Sequence, residues 1–381
     1  MRAARAEIDL TAIAENVRTL AGLVEPATIC AVVKADGYGH GAIAVSEAAL
    51  AAGASWLGVA LVEEGAVLRK AGIDAPILLL SEPRPADMKA ALAWDLRVTV
   101  YTADGVDALA AAATIAGPPA QAHLKIDTGM NRVGCRPADA LQLTKELVGH
   151  EQVHFEGAYT HCAVADEPGN QFTDEQLDRF EDAIAELDAA GLRPGRLHAA
   201  NSAAAIDHPR ARYDMVRVGI ALYGISPAPA LSGRVALRPA MSIHSEVSLV
   251  KRVKAGERIS YGLRHTFDRD ANVATVPIGY ADGVARALAA TGGEVLIGGC
   301  RRPITGVITM DQLMVDCGDD DVAPGDQVVL LGSQGDEHIA ADEWAERLGT
   351  IAYEIVCGIG PRVPRRYRPY PQDQPYSQDQ H

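Results

Sequence analysis

The chain has 381 residues, 48% hydrophobic and 22% charged, a size that fits two domains or one barrel with an appendage. Its 50 acidic and 35 basic residues leave a net charge of −15, which argues against a nucleic-acid binder, since neutralising phosphates needs a basic face. No run of ~18 apolar residues suggests a membrane span, Met1–Asp9 lacks the apolar core of a signal peptide, and six scattered cysteines without a Cys-x-x-Cys pair point to reduced thiols in the cytoplasm rather than a zinc site or disulfide frame.

Helical periodicity opens the chain over Thr11–Val24, and eight apolar strand candidates follow: Ile29–Val33, Trp56–Ala60, Pro76–Leu80, Arg97–Val100, Ala122–Ile126, Val153–Tyr159, Arg196–Ala199 and Met215–Val218. Alanine-rich helical stretches lie between them, including Ala42–Ala52, Asp104–Ala113, Ala138–Val148 and Thr173–Ala190, with Asp104 as a start signal and Gly191 as a stop. This alternation predicts an α/β chain built on a (β/α)8 TIM-type barrel. No Gly-x-Gly-x-x-Gly follows the first strand, so the doubly wound alternative loses its usual dinucleotide signature.

Beyond about Gly224 the style changes to short β-rich runs at Ser242–Val250, Val273–Ile278, Glu294–Ile297, Gln312–Asp316 and Gln327–Leu331, with one helix near Ala340–Leu348. The expected organisation is a barrel over residues 1–232, a mostly-β C-terminal domain over 233–370 and a disordered tail over 371–381. Pro227–Pro239 reads as the linker, and the composition from Pro364 onward is also that of a linker.

A barrel of this kind should carry its chemistry just past the strand ends. Lys34 ends the apolar run Ile29–Val33 and opens the glycine-rich Ala35-Asp36-Gly37-Tyr38-Gly39-His40-Gly41. A desolvated amine there can act as a nucleophile toward carbonyl carbon, and the glycines allow close backbone approach to a ligand. A surface lysine that happens to follow a strand would look the same. Lys125, Asp127 and Arg132 lie at or after the fifth strand, His161 after the sixth, Asn201 and Ser202 after the seventh, and Arg217 and Gly219 at the end of the eighth. Asn201 or Ser202 could be an ordinary helix N-cap. Together with Arg217-Val218-Gly219-Ile220 they could equally form the phosphate corner that barrels often place after strands seven and eight. A ligand spanning the lysine and that corner needs a carbonyl at one end and a phosphate at the other, and pyridoxal 5'-phosphate has both. Arg217 would then meet its ring nitrogen and, having no acceptor, leave it unprotonated. His161 could hold Arg217 or be a satisfied barrel histidine.

The stretch from Ala31 to Gly41 resembles the cofactor-lysine signature of the alanine racemases. Lys125-Ile126-Asp127-Thr128-Gly129-Met130-Asn131-Arg132, His198-Ala199-Ala200-Asn201-Ser202, Val216-Arg217-Val218-Gly219-Ile220 and Ile259-Ser260-Tyr261-Gly262 continue the likeness. So do Pro277–Gly283, Met310-Asp311-Gln312 and Tyr353-Glu354, so that it runs from about Glu7 to Arg366. The resemblance implies a pyridoxal-phosphate enzyme of fold type III, a head-to-tail homodimer interconverting L- and D-alanine for peptidoglycan. It implies that Lys34 carries the cofactor as an aldimine. Tyr38, Ser202, Gly219, Ile220 and Tyr353 would hold the phosphate with Asn201 nearby, Arg217 would face the ring nitrogen, and Arg132 would sit by the phenolic oxygen and the substrate carboxylate. Lys125 matches a position carbamylated in some members.

Racemisation takes a proton from one face of a planar carbanion and returns one to the other, so two bases are needed. By resemblance these are Lys34 and Tyr261 of the partner subunit, with a backbone contact from Met310 of the partner subunit to the substrate carboxylate. Phenols ionise near pH ~10, so such a base needs positive charge beside it, and Arg132 is a source. The segment before Met310 departs from the family, carrying Val307 and Thr309 where members often have arginine and cysteine. That leaves open the charge of the substrate channel and the tolerance for other side chains. Alternative readings are a racemase for serine or lysine, a decarboxylase on the same plan, and a non-catalytic pyridoxal-phosphate carrier.

Overall fold

The computed structural model describes residues 3–116 and 119–368, so the tail expected over 371–381 lies outside the described residues. Two compact units emerge. One comprises residues 12–37 and 41–238; the other comprises the N-terminal segment through Thr11, residues 38–40 and the chain from Pro239 onward.

The N-terminal strand β1 (Arg5–Asp9) belongs to the second unit. The first unit contains eight strands: β2 (Thr28–Val32), β3 (Trp56–Val59), β4 (Ile77–Leu79), β5 (Leu96–Val100), β6 (Ala120–Lys125), β7 (Val153–Tyr159), β8 (Arg196–His198) and β9 (Met215–Val218). Each of β2 to β7 pairs in parallel with its successor, and β9 pairs with β2, giving a nearly closed barrel. β3, β4 and β9 are buried along their whole length, as strands covered on both faces must be.

The helices cover the barrel through apolar stripes. In Phe172–Ala189 the buried residues Thr173, Gln176, Leu177, Phe180, Ala183, Ile184 and Leu187 recur at three- and four-residue spacing. Asp174 and Glu175 lie in its first turn, where they oppose the positive end of the helix dipole. Gly191 then takes φ 70° and donates to Asp188 O at 2.9 Å, while Leu192 N donates to Leu187 O at 2.8 Å, ending the helix. Phe180 is fully buried, and Phe180→Ala should cost about 3–5 kcal/mol. The expectation for Asp104 needs correcting. Thr102 Oγ1 accepts the Gly105 amide at 2.9 Å and so caps the helix Ala103–Ala116, with Asp104 inside its first turn.

In the second unit β1 pairs antiparallel with β10 (Met241–Glu246) and parallel with Arg365–Arg368. The residues after Pro364 therefore form a strand where the composition suggested a linker. The run expected over Ser242–Val250 is two strands. β10 pairs with Gln327–Gln334, whereas Leu249–Val253 pairs with Ala271–Val276, so the chain changes partner between them. A second helix, Ala352–Cys357, joins Ala341–Leu348 where only one was expected. Among the described residues no helix is long and apolar enough to cross a membrane.

Candidate active site

β2 ends at Val32, and Val33 N still donates to Gly58 O at 2.9 Å, so Lys34 leaves the barrel wall at its C-terminal edge. The backbone then turns left-handed at Ala35 (φ 52°, ψ 50°), Asp36 (φ 51°, ψ 50°) and Gly37 (φ 60°, ψ 45°). Left-handed geometry costs roughly 1–2 kcal/mol at each non-glycine residue, so this turn must be held by other bonds. Asp36 Oδ1 accepts the Ala42 amide at 2.9 Å, and Glu64 Oε1 accepts the Ala35 amide at 2.7 Å. The glycines serve chain packing as much as any ligand: a Cβ on Gly39 would lie 2.4 Å from Val356 O.

Lys125, at the end of β6, stands in register with Tyr159, and Tyr159 with His198. Its Nζ donates to Leu80 O at 3.1 Å and lies 5.2 Å over the Tyr159 ring. Burial, then Arg217, Arg132 and Lys34, push this amine down from 10.5 to about 7, with Asp127 opposing. Asp127 Oδ1 accepts the amides of Gly129 at 3.0 Å and Asn131 at 3.1 Å, folding the loop that presents exposed Arg132.

Arg217 is buried within the barrel. Its Nη1 donates to His198 Nδ1 at 2.8 Å, and its Nη2 donates to Thr160 O at 2.8 Å, Ala199 O at 2.9 Å and His161 Nδ1 at 3.1 Å. Because guanidinium only donates, His198 Nδ1 must accept, which leaves His198 neutral with its proton on Nε2. That nitrogen meets His123 Nδ1 at 2.9 Å, and His123 Nε2 meets Glu156 Oε2 at 3.3 Å. The chain of protons is therefore polarised from Arg217 toward Glu156. Burial and then Arg217 hold both His161 and His198 well below the ordinary imidazole range. Gly157 makes room for the chain, since a Cβ there would lie 2.5 Å from the His123 ring.

Asn201 caps the short helix Ser202–Asp207, its Oδ1 accepting the Ala204 amide at 3.0 Å. Buried Ser202 Oγ accepts the Gly219 amide at 2.9 Å, which orients the hydroxyl proton for donation. Ile220 follows, fully buried. The N-cap reading of Asn201 thus holds, and Ser202 is tied to Gly219 across two strand ends.

In the second unit, Tyr38 and Tyr353 lie with ring centroids 6.2 Å apart. Burial pushes the Tyr38 hydroxyl up, keeping it protonated and able to donate. Tyr261 sits on an exposed hairpin tip, 73% accessible, between Ser260 at φ 64° and Gly262 at φ 75°. A cleft of about 480 Å³ beside it is lined by Ile259, Ser260, Tyr261, Gly262, Thr309 and Met314. The Val307 carbonyl accepts from Ser260 Oγ at 3.0 Å, while Thr309 Oγ1 donates to Gln312 O at 2.8 Å. Met310 is 52% accessible, and its carbonyl accepts the Ala281 amide at 3.1 Å.

Sequence reading assigned no role to His198, His123, Glu156 or Glu64. The pairs His123/Lys125 and Arg196/His198 fall at two-residue spacing on barrel strands, and that spacing is the signal for one shared interior face.

Arg217, Arg132 and Lys34 each bear electrostatically on Lys125 and on His161, with Asp127 opposing them at Lys125, an arrangement suited to a ligand with several negative charges. A phosphate with a neighbouring phenolic oxygen meets that requirement, and the primary amine of Lys34 supplies a partner for an aldehyde, so pyridoxal phosphate fits this donor set.

Residues 8–227 match the alanine racemase N-terminal domain and residues 240–367 the alanine racemase C-terminal domain. The chain is 50% identical over 368 residues to an alanine racemase of Symbiobacterium thermophilum, covering 96% of this chain and 97% of the relative. Among solved structures, alanine racemase from D-cycloserine-producing Streptomyces lavendulae superposes with TM-score 0.92 at 42% identity, covering 97% of this chain and 98% of that one. Alanine racemase from Bacillus anthracis with bound L-Ala-P gives TM-score 0.92 at 39% identity, covering 98% and 96%.

Proposed function

Because this chain belongs to the alanine racemase family, we propose that it interconverts L-alanine and D-alanine with pyridoxal 5'-phosphate as a homodimer. The observation that carries the reading is the set of basic side chains at one strand-end site, where Lys34, Arg132 and Arg217 all bear on Lys125 and on His161. The bound cofactor would supply an electrophilic carbonyl for amines and a sink for the negative charge left by a departing α-proton.

Every other part belongs to the chain. Lys34 would hold the cofactor and, once released by substrate, move a proton at its Nζ on one face. Tyr261 of the partner subunit would move a proton at its hydroxyl on the other face. Exposed apolar residues of the second unit, among them Tyr261, Leu263, Tyr280, Met310 and Ile351, support a partner-facing surface of this kind. Arg132 would bind the substrate carboxylate, joined by a backbone contact from Met310 of the partner subunit. Ser202, Gly219, Ile220, Tyr38 and Tyr353 would hold the phosphate, with Asn201 nearby fixing Ser202. Arg217, held by His161 and His198, would present only donors to the ring nitrogen and so leave it unprotonated. Lys125 would orient Arg132, as the amine or as a carbamate. The biological role in this reading is D-alanine supply for peptidoglycan in the cytoplasm.

The test is α-proton exchange and enantiomer interconversion in heavy water, run with alanine, serine and lysine. Alanine should show the highest kcat/KM. Absence of exchange would point to a cofactor carrier, and preference for serine or lysine to a broader racemase.

A further inference from the structure

Glu64 lies outside every role assigned above, yet it bonds to the turn that carries Lys34. It occupies the first turn of the helix Val62–Lys70, where Oε2 accepts the amides of Ala60 at 2.8 Å and Leu61 at 3.1 Å. Capping its own helix requires nothing more. The other oxygen, Oε1, reaches the end of the neighbouring strand and accepts the Ala35 amide at 2.7 Å. That amide shares its rigid peptide plane with the Lys34 Cα and carbonyl carbon. One carboxylate thus ties the ends of β2 and β3 together at the residue after the reactive lysine.

The turn it holds is one the backbone would not choose. Ala35 and Asp36 are left-handed without being glycine, and Tyr38 follows at φ 52°. Asp36 Oδ1 with the Ala42 amide and Gly37 N with Val33 O at 2.8 Å secure its later residues. The bond from Glu64 acts earlier, on the Lys34–Ala35 peptide itself. Rotation of that peptide would swing the Lys34 side chain. Misplacing a reacting group by about 1 Å can cost on the order of 100-fold in rate.

We infer that Glu64 is a positioning residue for Lys34, fixing the peptide plane from which the ε-amine is delivered to one face of the substrate. The inference rests on the reading of Lys34 as cofactor lysine and base. Its test compares Glu64→Ala and Glu64→Gln with the unaltered holoenzyme, after borohydride mapping has established which lysine carries the cofactor.

Two readouts follow. Hydrogen exchange across residues 34–37 of the full-length protein should speed at least ~10-fold in Glu64→Ala, because the Ala35 amide loses its acceptor. Loss of the α-deuteron should slow at least ~10-fold more for the enantiomer that Lys34 deprotonates than for the other. Glu64→Gln keeps one acceptor oxygen and should fall between. Unchanged exchange at residues 34–37, or equal slowing for both enantiomers with a lowered Tm, would reduce Glu64 to a helix cap and overturn the inference. A cofactor adduct on another lysine in the unaltered protein would sink the underlying reading instead, and the hydrogen-exchange result would stand apart from it.

Discussion

Arg217 Nη1 donates to His198 Nδ1 across 2.8 Å inside the barrel. Among the described residues no carboxylate pairs with Arg217; imidazoles and carbonyls satisfy the guanidinium instead. Its charge is therefore left for a ligand, while its position is fixed by acceptors that carry none. In His198→Ala the buried donor loses its partner, and stability should fall by about 1.5–3 kcal/mol in urea unfolding. An unchanged midpoint would mean that the contact contributes nothing to folding.

The buried imidazoles set the acid limit. His123 is lowered, and His161 and His198 are held well below the ordinary value of 6.5, burial being the largest cause in each. Below about pH 6.5 the unfolded chain binds protons that the folded chain refuses. Stability is thus fully present above that value and is lost as pH falls toward the lowered folded values. The urea midpoint should be clearly lower at pH 5 than at pH 7.5, and a flat profile would contradict the neutral assignment.

Lys125 behaves in the same sense at higher pH. Lowered from 10.5 to about 7, it is largely a free amine at pH 8, and its contribution to stability grows as pH rises through that interval. A free amine beside Arg132 and Arg217 can capture carbon dioxide as a carbamate, whose negative charge those arginines favour. With 13C-labelled bicarbonate at pH 8, one carbamate resonance should appear and vanish in Lys125→Ala. Its absence from the unaltered protein would leave Lys125 acting as the amine.

Tyr261→Phe removes a hydroxyl from an exposed hairpin tip and should leave folding within about 0.5 kcal/mol. The visible band of the lysine-bound cofactor should persist, while proton removal from one enantiomer is lost. Normal turnover of both enantiomers would contradict the two-base assignment.

The barrel was legible because its strands are apolar runs set between helical stretches, and β7 and β9 fall on their expected bounds. Helix Val62–Lys70 was not: its buried residues are few and its surface charged. Ala352–Cys357 is too short for a helical period to show, and Arg365–Arg368 is a strand whose burial pattern has no buried position. Of the candidate site, Lys34, Arg132, Ser202 and Arg217 were legible in the sequence because they lie at or just after strand ends. The line from Arg217 through His198 and His123 to Glu156 could not, since its bonds depend on strand register across β6, β7, β8 and β9. The same holds for Glu64, 29 positions from the amide it accepts.

The most direct measurement is borohydride reduction of the holoenzyme followed by peptide mapping. One reduced pyridoxyl adduct is expected, on Lys34, with loss of racemisation in proportion to labelling. An adduct on any other lysine, or full activity after labelling, would contradict the assignment of Lys34.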